Sequence, residues 1–142
     1  MTRNNMARTV RVLLPRWKKR LDINDWYVDW GWMQGQDIDG AEGPLGRTHF
    51  YFGQNKVFIR LRNDLEYHEL RETLVHELLH IAQCEPVLSI QDLGKSGAIS
   101  NREWDVFWAQ YQRQMELAHD RVTKCIILAP GWEDKDIEEK YK

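Results

Sequence analysis

The spacing of apolar and polar residues changes along the chain, and each change marks a predicted element. Apolar residues three and four positions apart predict a first helix over residues 7–21, in which Pro15 must lie in the first turn or cause a break. Alternation with a period of two predicts a strand over 26–32, and its return over 48–61 around a short turn indicates a β-hairpin. Between them, the glycine-rich segment 34–46 predicts a loop whose acidic residues do not follow the EF-hand calcium pattern.

The C-terminal half shows two helical patterns separated by a predicted linker. A capping box that starts at Asn63 opens a helix that we expect to end just before Pro86. Residues 86–99 contain two glycines and are predicted to form a linker. A second capping box starts at Ser100 and opens a long helix that ends before Pro130. The pattern therefore predicts an α+β fold with an N-terminal helix, a small mainly antiparallel sheet, a middle helix and a long C-terminal helix.

Length and composition are typical of one folded domain, which we place at residues 1–142 with mobile tails at 1–9 and 131–142. A hydrophobic fraction of 42% excludes disorder for most of the chain, and no apolar run is long enough to cross a bilayer. The two cysteines, Cys84 and Cys125, are too few for a disulfide framework. We therefore expect a soluble, cytoplasmic protein with no membrane partner.

Charge is distributed unevenly along the chain. Residues 1–20 contain seven of the 20 basic side chains and no acidic one, which leaves 13 basic residues against all 22 acidic residues in the rest. Nucleic-acid binding depends mainly on a basic surface that neutralises phosphates. We therefore do not expect the acidic body to bind nucleic acid, and only the basic N-terminal segment could contact it.

The strongest chemical signal is the pentapeptide His76-Glu77-Leu78-Leu79-His80 in the predicted middle helix. Two histidines four residues apart lie on one face of a helix, so both imidazoles can reach a single metal ion. Glu77 lies about 100° further round the helix, where it can accept a proton from a metal-bound water. The pattern predicts a zinc site that contains His76 and His80, with Glu77 as the general base.

A catalytic zinc site normally has three protein ligands, so a third ligand must come from another part of the chain. Glu116 and Asp120 lie one turn apart on the same side of the long helix. Glu116 could bind the zinc ion, and Asp120 could accept a hydrogen bond from a ligand imidazole and so fix its tautomer. His119 and Glu103 are the alternatives for the third ligand.

These motifs resemble those of the gluzincin metallopeptidases, in which a His-Glu-x-x-His helix is followed by a helix that carries a Glu-x-x-x-Asp pair. The layout is most similar to the small metallopeptidases encoded by phages and prophages, with the SprT-like proteases as neighbours. The resemblance implies a zincin-like fold and a zinc-dependent endopeptidase that hydrolyses protein or peptide substrates. It also implies that His76, His80 and Glu116 are the ligands and that Glu77 is the catalytic base.

Other features of the site stay open at this point. SprT-like enzymes use a third histidine as a ligand, and His119 is the only histidine after the motif. His119 or Tyr111 could instead stabilise the transition state as an oxyanion donor. The hairpin at 48–61 would offer an edge to an extended substrate, and the segments 86–99 and after Pro130 could cover the cleft. The alternative function is a non-catalytic zinc protein with a structural or host-interaction role. A closed site with four protein ligands, for instance with Glu116 and His119 both bound, would favour it.

Overall fold

The computed structural model describes residues 1–34 and 43–141. In chain order, its helices and strands are α1 (Arg3–Arg20), β1 (Tyr27–Trp32), β2 (Gly46–Tyr51), β3 (Lys56–Leu61), α2 (Tyr67–Ala82), α3 (Cys84–Lys95), α4 (Asn101–Ile127) and α5 (Lys135–Tyr141). These elements confirm the α+β class. Most of the predicted loop at 34–46, including the acidic residues compared with the calcium pattern, lies outside the described residues.

The three strands form one small mixed sheet in the order β1-β3-β2. β2 and β3 pair antiparallel, as the hairpin pattern predicts, with Thr48 opposite Ile59. β1 pairs in parallel with the other side of β3, with Trp30 opposite Ile59. The expectation of a mainly antiparallel sheet is therefore wrong for β1. The chain from Trp32 to Lys56 includes β2 and is long enough for the crossover that two parallel strands require.

The first helix begins earlier than its apolar pattern predicts and continues through Pro15. The side chain of Thr2 caps it by accepting a hydrogen bond from the Asn5 N–H. Proline has no N–H, so one hydrogen bond is missing inside this helix. Packing of the buried face of α1 offsets the free-energy cost of that missing bond. Met6 is fully buried, so the segment 1–9 is the packed start of a helix rather than the expected tail.

The predicted linker at 86–99 is helical over most of its length, because α3 spans Cys84–Lys95. Pro86 does not simply end α2 but lies in the first turn of α3, where the N–H that proline lacks would have no helical acceptor. A methyl group at Gly94 would overlap the indole ring of Trp104. The glycine therefore allows α3 to lie against Trp104 of α4 at this point, which corrects its interpretation as a linker residue.

The caps of α2 and α4 differ in how well the sequence predicts them. α2 starts after Glu66, three residues later than the expected cap at Asn63, and the Glu66 N–H donates to the Glu69 carboxylate at 2.9 Å. α4 starts after Ser100 with the expected capping box. Both arrangements supply acceptors to backbone N–H groups that the start of a helix leaves without an intrahelical partner.

α2 is the central helix of the fold. It packs against α1 and the sheet on one side and against α4 on another. Leu70, Leu74 and Leu78 are fully buried in the hydrophobic core that α2 shares with α1 and β3. The motif helix therefore lies between the sheet and the long helix α4. None of the helices in the described part of the chain is long and apolar enough to span a membrane.

The segment after α4 is tied to the fold by one buried carboxylate, that of Asp134. Its hydrogen-bond donors lie at 2.7–3.0 Å and come from α1 and α2: Arg16, Trp17, Arg20 and Arg71. Ile137 in the following helix is also buried. The segment 131–142, which the sequence predicts to be a mobile tail, therefore contains a short helix that packs against α1.

Candidate metal centre

The motif on α2 faces α4, and side chains from the two helices converge there. His76 Nε2 lies 3.2 Å from His80 Nε2 and 3.1 Å from Glu116 Oε2. His80 Nε2 lies 3.4 Å from Glu116 Oε1. The two histidines reach the same point because they are four residues apart on one helix, and the packing of α2 against α4 brings the carboxylate to them. The structure therefore brings together the three residues proposed as ligands.

The separations within this group fit a single small metal ion. Zinc binds imidazole nitrogen and carboxylate oxygen at about 2.0–2.2 Å, which places two ligands of a tetrahedral site about 3.3–3.6 Å apart. The two imidazoles lie 3.2 Å apart, and each lies 3.1 or 3.4 Å from its nearer oxygen of Glu116, which is close to these values. Two imidazoles and a carboxylate therefore form a donor group that could hold a metal ion.

Asp120 lies against the ring of His76. Its Oδ1 atom lies 3.0 Å from Nδ1 of His76, on the side of the ring away from the contact with Glu116. Asp120 follows Glu116 by one helical turn, so both carboxylates point from α4 towards α2. In the neutral ring, a carboxylate at Nδ1 favours the tautomer that carries its proton there. The Nε2 lone pair is then available to a metal ion in place of the hydrogen bond to Glu116.

His119 is the most deeply buried member of the cluster, with 1% of its surface exposed. The centroid of its ring lies 4.4 Å from that of His80 and 5.7 Å from that of His76. Its Nε2 atom lies 2.7 Å from Gln83 Oε1, whereas Nδ1 has no hydrogen-bond partner among the described residues. Donor atoms of His76, His80, Glu116 and His119 all lie within 4.8 Å of one another.

Glu77 lies beside the group but is held by the sheet. Its side chain is buried, and its Oε2 atom accepts a hydrogen bond of 2.5 Å from the Thr48 hydroxyl on β2. Gly46, at the start of the same strand, is so close that an added Cβ would lie 2.7 Å from Glu77 Oε1. A side chain at position 46 would therefore displace the carboxylate, and β2 determines where Glu77 lies.

Burial and hydrogen bonding shift the pKa values of the cluster. Burial raises the pKa of Glu77 to about 7, although the hydrogen bond to its carboxylate opposes this effect. Burial lowers the pKa of His80 to about 4 and also lowers that of His119. The hydrogen bond between His76 and Glu116 raises the pKa of the imidazole and lowers that of the carboxyl group. The imidazoles of His80 and His119 are therefore neutral at pH 7, and each has a nitrogen lone pair that can bind a cation.

Two other candidate residues lie away from the group. Glu103, an alternative third ligand, bonds to Ser100 at the start of α4 and precedes Glu116 by about 20 Å along the helix. Tyr111, a candidate oxyanion donor, stacks on Trp108 with the ring centroids 5.6 Å apart. The structure therefore places Glu103 in the helix cap and Tyr111 in an aromatic stack.

Thr48, Gly46 and Gln83 contact the site but are not among the residues that the sequence predicts for it. The alternation in β2 puts Thr48 on the same side of the strand as Phe50, which indicates only that its side chain turns inward. No periodicity predicts that Gly46 lies against Glu77 or that Gln83 reaches a histidine from another helix. These contacts depend on distances between elements, which local patterns do not contain.

A cleft passes in front of the group along the edge strand β2. On one side, a cavity of about 470 Å³ beside His76 and Glu77 has acidic walls formed by Glu69, Glu72, Glu116 and Asp120. On the other side, a cavity of about 320 Å³ reaches His80 and has mainly apolar walls formed by Phe50, Cys84, Val87, Trp108 and Met115. A third cavity, between these two, is lined by Glu77, His80 and Glu116.

The arrangement combines a donor group that could hold a metal ion with a buried carboxylate at the wall of the same cleft. Such a combination can bind a Lewis acid and move a proton next to it. Comparison with protein-family models, with curated proteins and with solved structures finds no match for this chain.

Proposed function

We propose that this chain is a zinc-dependent peptidase, in which His76, His80 and Glu116 bind the metal ion and Glu77 acts as the general base. One observation carries the proposal. The imidazoles of His76 and His80 lie 3.2 Å apart, and each lies 3.1–3.4 Å from an oxygen of the Glu116 carboxylate. The same cleft contains the buried carboxylate of Glu77, which comes from the helix of the two histidines but is held by β2. The resemblance to the gluzincins supports the same assignment of these residues.

The donor set favours zinc over calcium and magnesium. Imidazole nitrogen and carboxylate oxygen are typical zinc ligands, whereas calcium and magnesium prefer oxygen donors alone. His76 would bind through Nε2, because Asp120 holds the proton on Nδ1. When bound, zinc would polarise a peptide carbonyl and lower the pKa of a water molecule towards 7.

Glu77 provides the proton transfer that amide hydrolysis needs. The Thr48 hydroxyl occupies its Oε2 atom, so Oε1 is left to accept a proton from a water molecule in the cleft. The same carboxyl group can then deliver this proton to the nitrogen of the leaving amine. Thr48 and Gly46 act as positioning residues, because both fix the carboxylate from β2.

The shape of the cleft favours an extended peptide as the substrate. β2 is an edge strand and forms one wall of the cleft, so a peptide that lies beside it would pass the donor group. Acidic side chains around the larger cavity suit a basic substrate residue on one side of the cleaved bond. The apolar cavity near His80 suits a bulky apolar residue on the other side.

A non-catalytic metal protein is the second candidate function, and the position of His119 favours it. A structural zinc site usually has four protein ligands and no position for water. His119 is close enough to join His76, His80 and Glu116 in such a site. In that case, the hydrogen bond between Glu77 and Thr48 would serve only to join α2 to the sheet.

Zinc content and peptide hydrolysis, measured on the same preparations, test the proposal. After reconstitution, elemental analysis is expected to find one zinc ion per chain in the wild type and in Glu77→Gln, and none in the double variant His76→Ala/His80→Ala. His68→Ala is the matched control, because His68 is an exposed histidine on the same helix. A peptide library analysed by mass spectrometry should be cleaved by the wild type and His68→Ala only.

The possible outcomes separate the two candidate functions. A wild type without zinc after reconstitution would refute the metal site itself. One zinc ion per chain without any cleavage of the library would refute the peptidase and favour the structural role. Equal cleavage by Glu77→Gln and the wild type would show that another group acts as the base.

A further inference from the structure

We infer that His119 is a fourth protein ligand of this centre, held in place by Gln83, so that the resting centre combines three imidazoles with the Glu116 carboxylate. The inference rests on the proposed function, since it requires that a metal ion binds to the group. From the sequence, His119 is a substitute for Glu116, an oxyanion donor or, bound together with Glu116, part of a closed site without catalysis. Here it is instead a ligand of a centre that keeps its catalytic role.

The first argument is the environment of the His119 ring. The ring is almost completely buried, and its Nδ1 atom has no hydrogen-bond partner within the described residues. Buried polar atoms in proteins nearly always have a partner. The neighbours of the ring on α2 are His76 and His80, and a donor atom of His119 lies within 4.8 Å of theirs. A cation bound by these residues would therefore supply the missing partner.

The second argument is the tautomer of His119. The Gln83 carbonyl oxygen at 2.7 Å can only accept a hydrogen bond, so the proton of the neutral imidazole lies on Nε2. Nδ1 then carries a lone pair, which can bind a cation but cannot donate a hydrogen bond to an oxyanion. A metal-bound histidine usually donates its other N–H to a carbonyl or carboxylate oxygen, and Gln83 provides this contact.

The exposure of the four donors indicates which of them can leave. Glu116 and His119 come from successive turns of α4, but the Glu116 side chain is 51% exposed whereas His119 is buried and bonded to Gln83. Water or substrate in the cleft can therefore displace Glu116 more readily than His119. With a metal ion bound by all four side chains, Glu116 would be the ligand that makes room for water or substrate, so four protein ligands are compatible with a peptidase.

X-ray absorption spectroscopy of the zinc-loaded protein tests this inference without any activity measurement, because imidazole ligands have a characteristic multiple-scattering signal. We expect three imidazoles in the wild type, two in His119→Gln, and three in Glu116→Ala. The glutamine in His119→Gln preserves a donor to Gln83 but removes the ligand atom. Circular dichroism of the metal-free proteins shows whether each variant folds.

A second variant keeps the inference testable if His119→Gln does not fold. Gln83→Met leaves His119 in place but removes its acceptor, and loss of such an outer contact typically weakens metal binding about 10–100-fold. Gln110→Met, at an exposed position of α4, is the matched control and should leave zinc affinity unchanged. Zinc affinity is measured by competition with a chelating dye.

The outcomes distinguish this inference from the proposed function. Two imidazoles in both the wild type and His119→Gln would overturn the role of His119 while the zinc site itself stands. Equal zinc affinity for Gln83→Met and Gln110→Met would also overturn it. A wild type that binds no zinc would refute the proposed function and this inference together.

Discussion

Asp134 allows a quantitative test of how the fold holds α2 in place. The substitution Asp134→Asn preserves the size of the side chain but removes its charge. The carboxylate is fully buried and accepts hydrogen bonds from Trp17 and from three arginines of α1 and α2. One of these, Arg71, precedes the metal-binding motif on α2 and also donates to the carbonyl groups of Ile127 and Trp132, at and beyond the end of α4. The variant therefore perturbs the link between the two helices that carry the donor group.

The expected loss of stability follows from the burial of this carboxylate. Removing one partner from a buried ion pair costs about 3–5 kcal/mol, because the remaining charges stay in an environment of low polarity. The entropy of unfolding is about 2.1 cal/mol/K per residue, or about 0.3 kcal/mol/K for 142 residues. The melting temperature of Asp134→Asn should therefore fall by about 10–17 °C.

Asp136 provides the matched control. It lies two residues further along the chain and forms a two-pronged contact with Arg16 at 2.7 and 2.8 Å, but its side chain is 64% exposed. Exposed ion pairs contribute about 0–1 kcal/mol, so Asp136→Asn should lower the melting temperature by no more than about 3 °C. Calorimetry of both variants at pH 7, in the presence of EDTA to remove differences in metal content, measures the two shifts. Equal shifts would refute the argument that burial determines the contribution of Asp134.

Three further predictions concern acid, the base and the metal. The hydrogen bonds from its neighbours outweigh the effect of burial and lower the pKa of Asp134, so below about pH 4 the unfolded chain binds more protons than the folded one. The free energy of unfolding should therefore fall as the pH drops from about 4 towards 2, and it should fall less steeply in Asp134→Asn. Parallel acid-titration curves for the two proteins would contradict this. Gly46→Ala should lower the rate of peptide hydrolysis at least about tenfold while one zinc ion is retained, because the added methyl group would meet Glu77 Oε1. The methyl group of Gly53→Ala would meet nothing within 4 Å, so this variant should hydrolyse peptides at the wild-type rate. An equal effect of both substitutions would refute the positioning of Glu77 by β2. Free zinc at 100 times its dissociation constant should stabilise the folded protein by about 2.7 kcal/mol, which raises the melting temperature by about 9 °C. EDTA should reverse this rise. An unchanged melting temperature would mean that the folded chain binds no zinc.

Sequence patterns predicted the local features of this chain well and their arrangement less well. The hairpin, the cap at Ser100 and the helix that carries His76 and His80 agree with the structure, because each depends on residues close together in the chain. The prediction of a linker at 86–99 is wrong, because Pro86 lies in the first turn of α3. A proline that ends one helix and a proline that begins the next look alike in the sequence. The parallel pairing of β1 and the packing of the C-terminal segment depend on distant residues, and no local pattern contains them.

In the candidate site, too, the sequence predicts what lies within one helix but not the contacts between elements. The sequence by itself determined that His76 and His80 share a helical face and that Glu77 lies beside them, because the geometry of one helix follows from the spacing of its residues. Only the tertiary structure decided which residue of α4 meets them, that Thr48 holds the carboxylate, and that Gln83 directs His119. These contacts join residues 29 to 40 positions apart in the chain, and their distances arise from the packing of whole elements around the core.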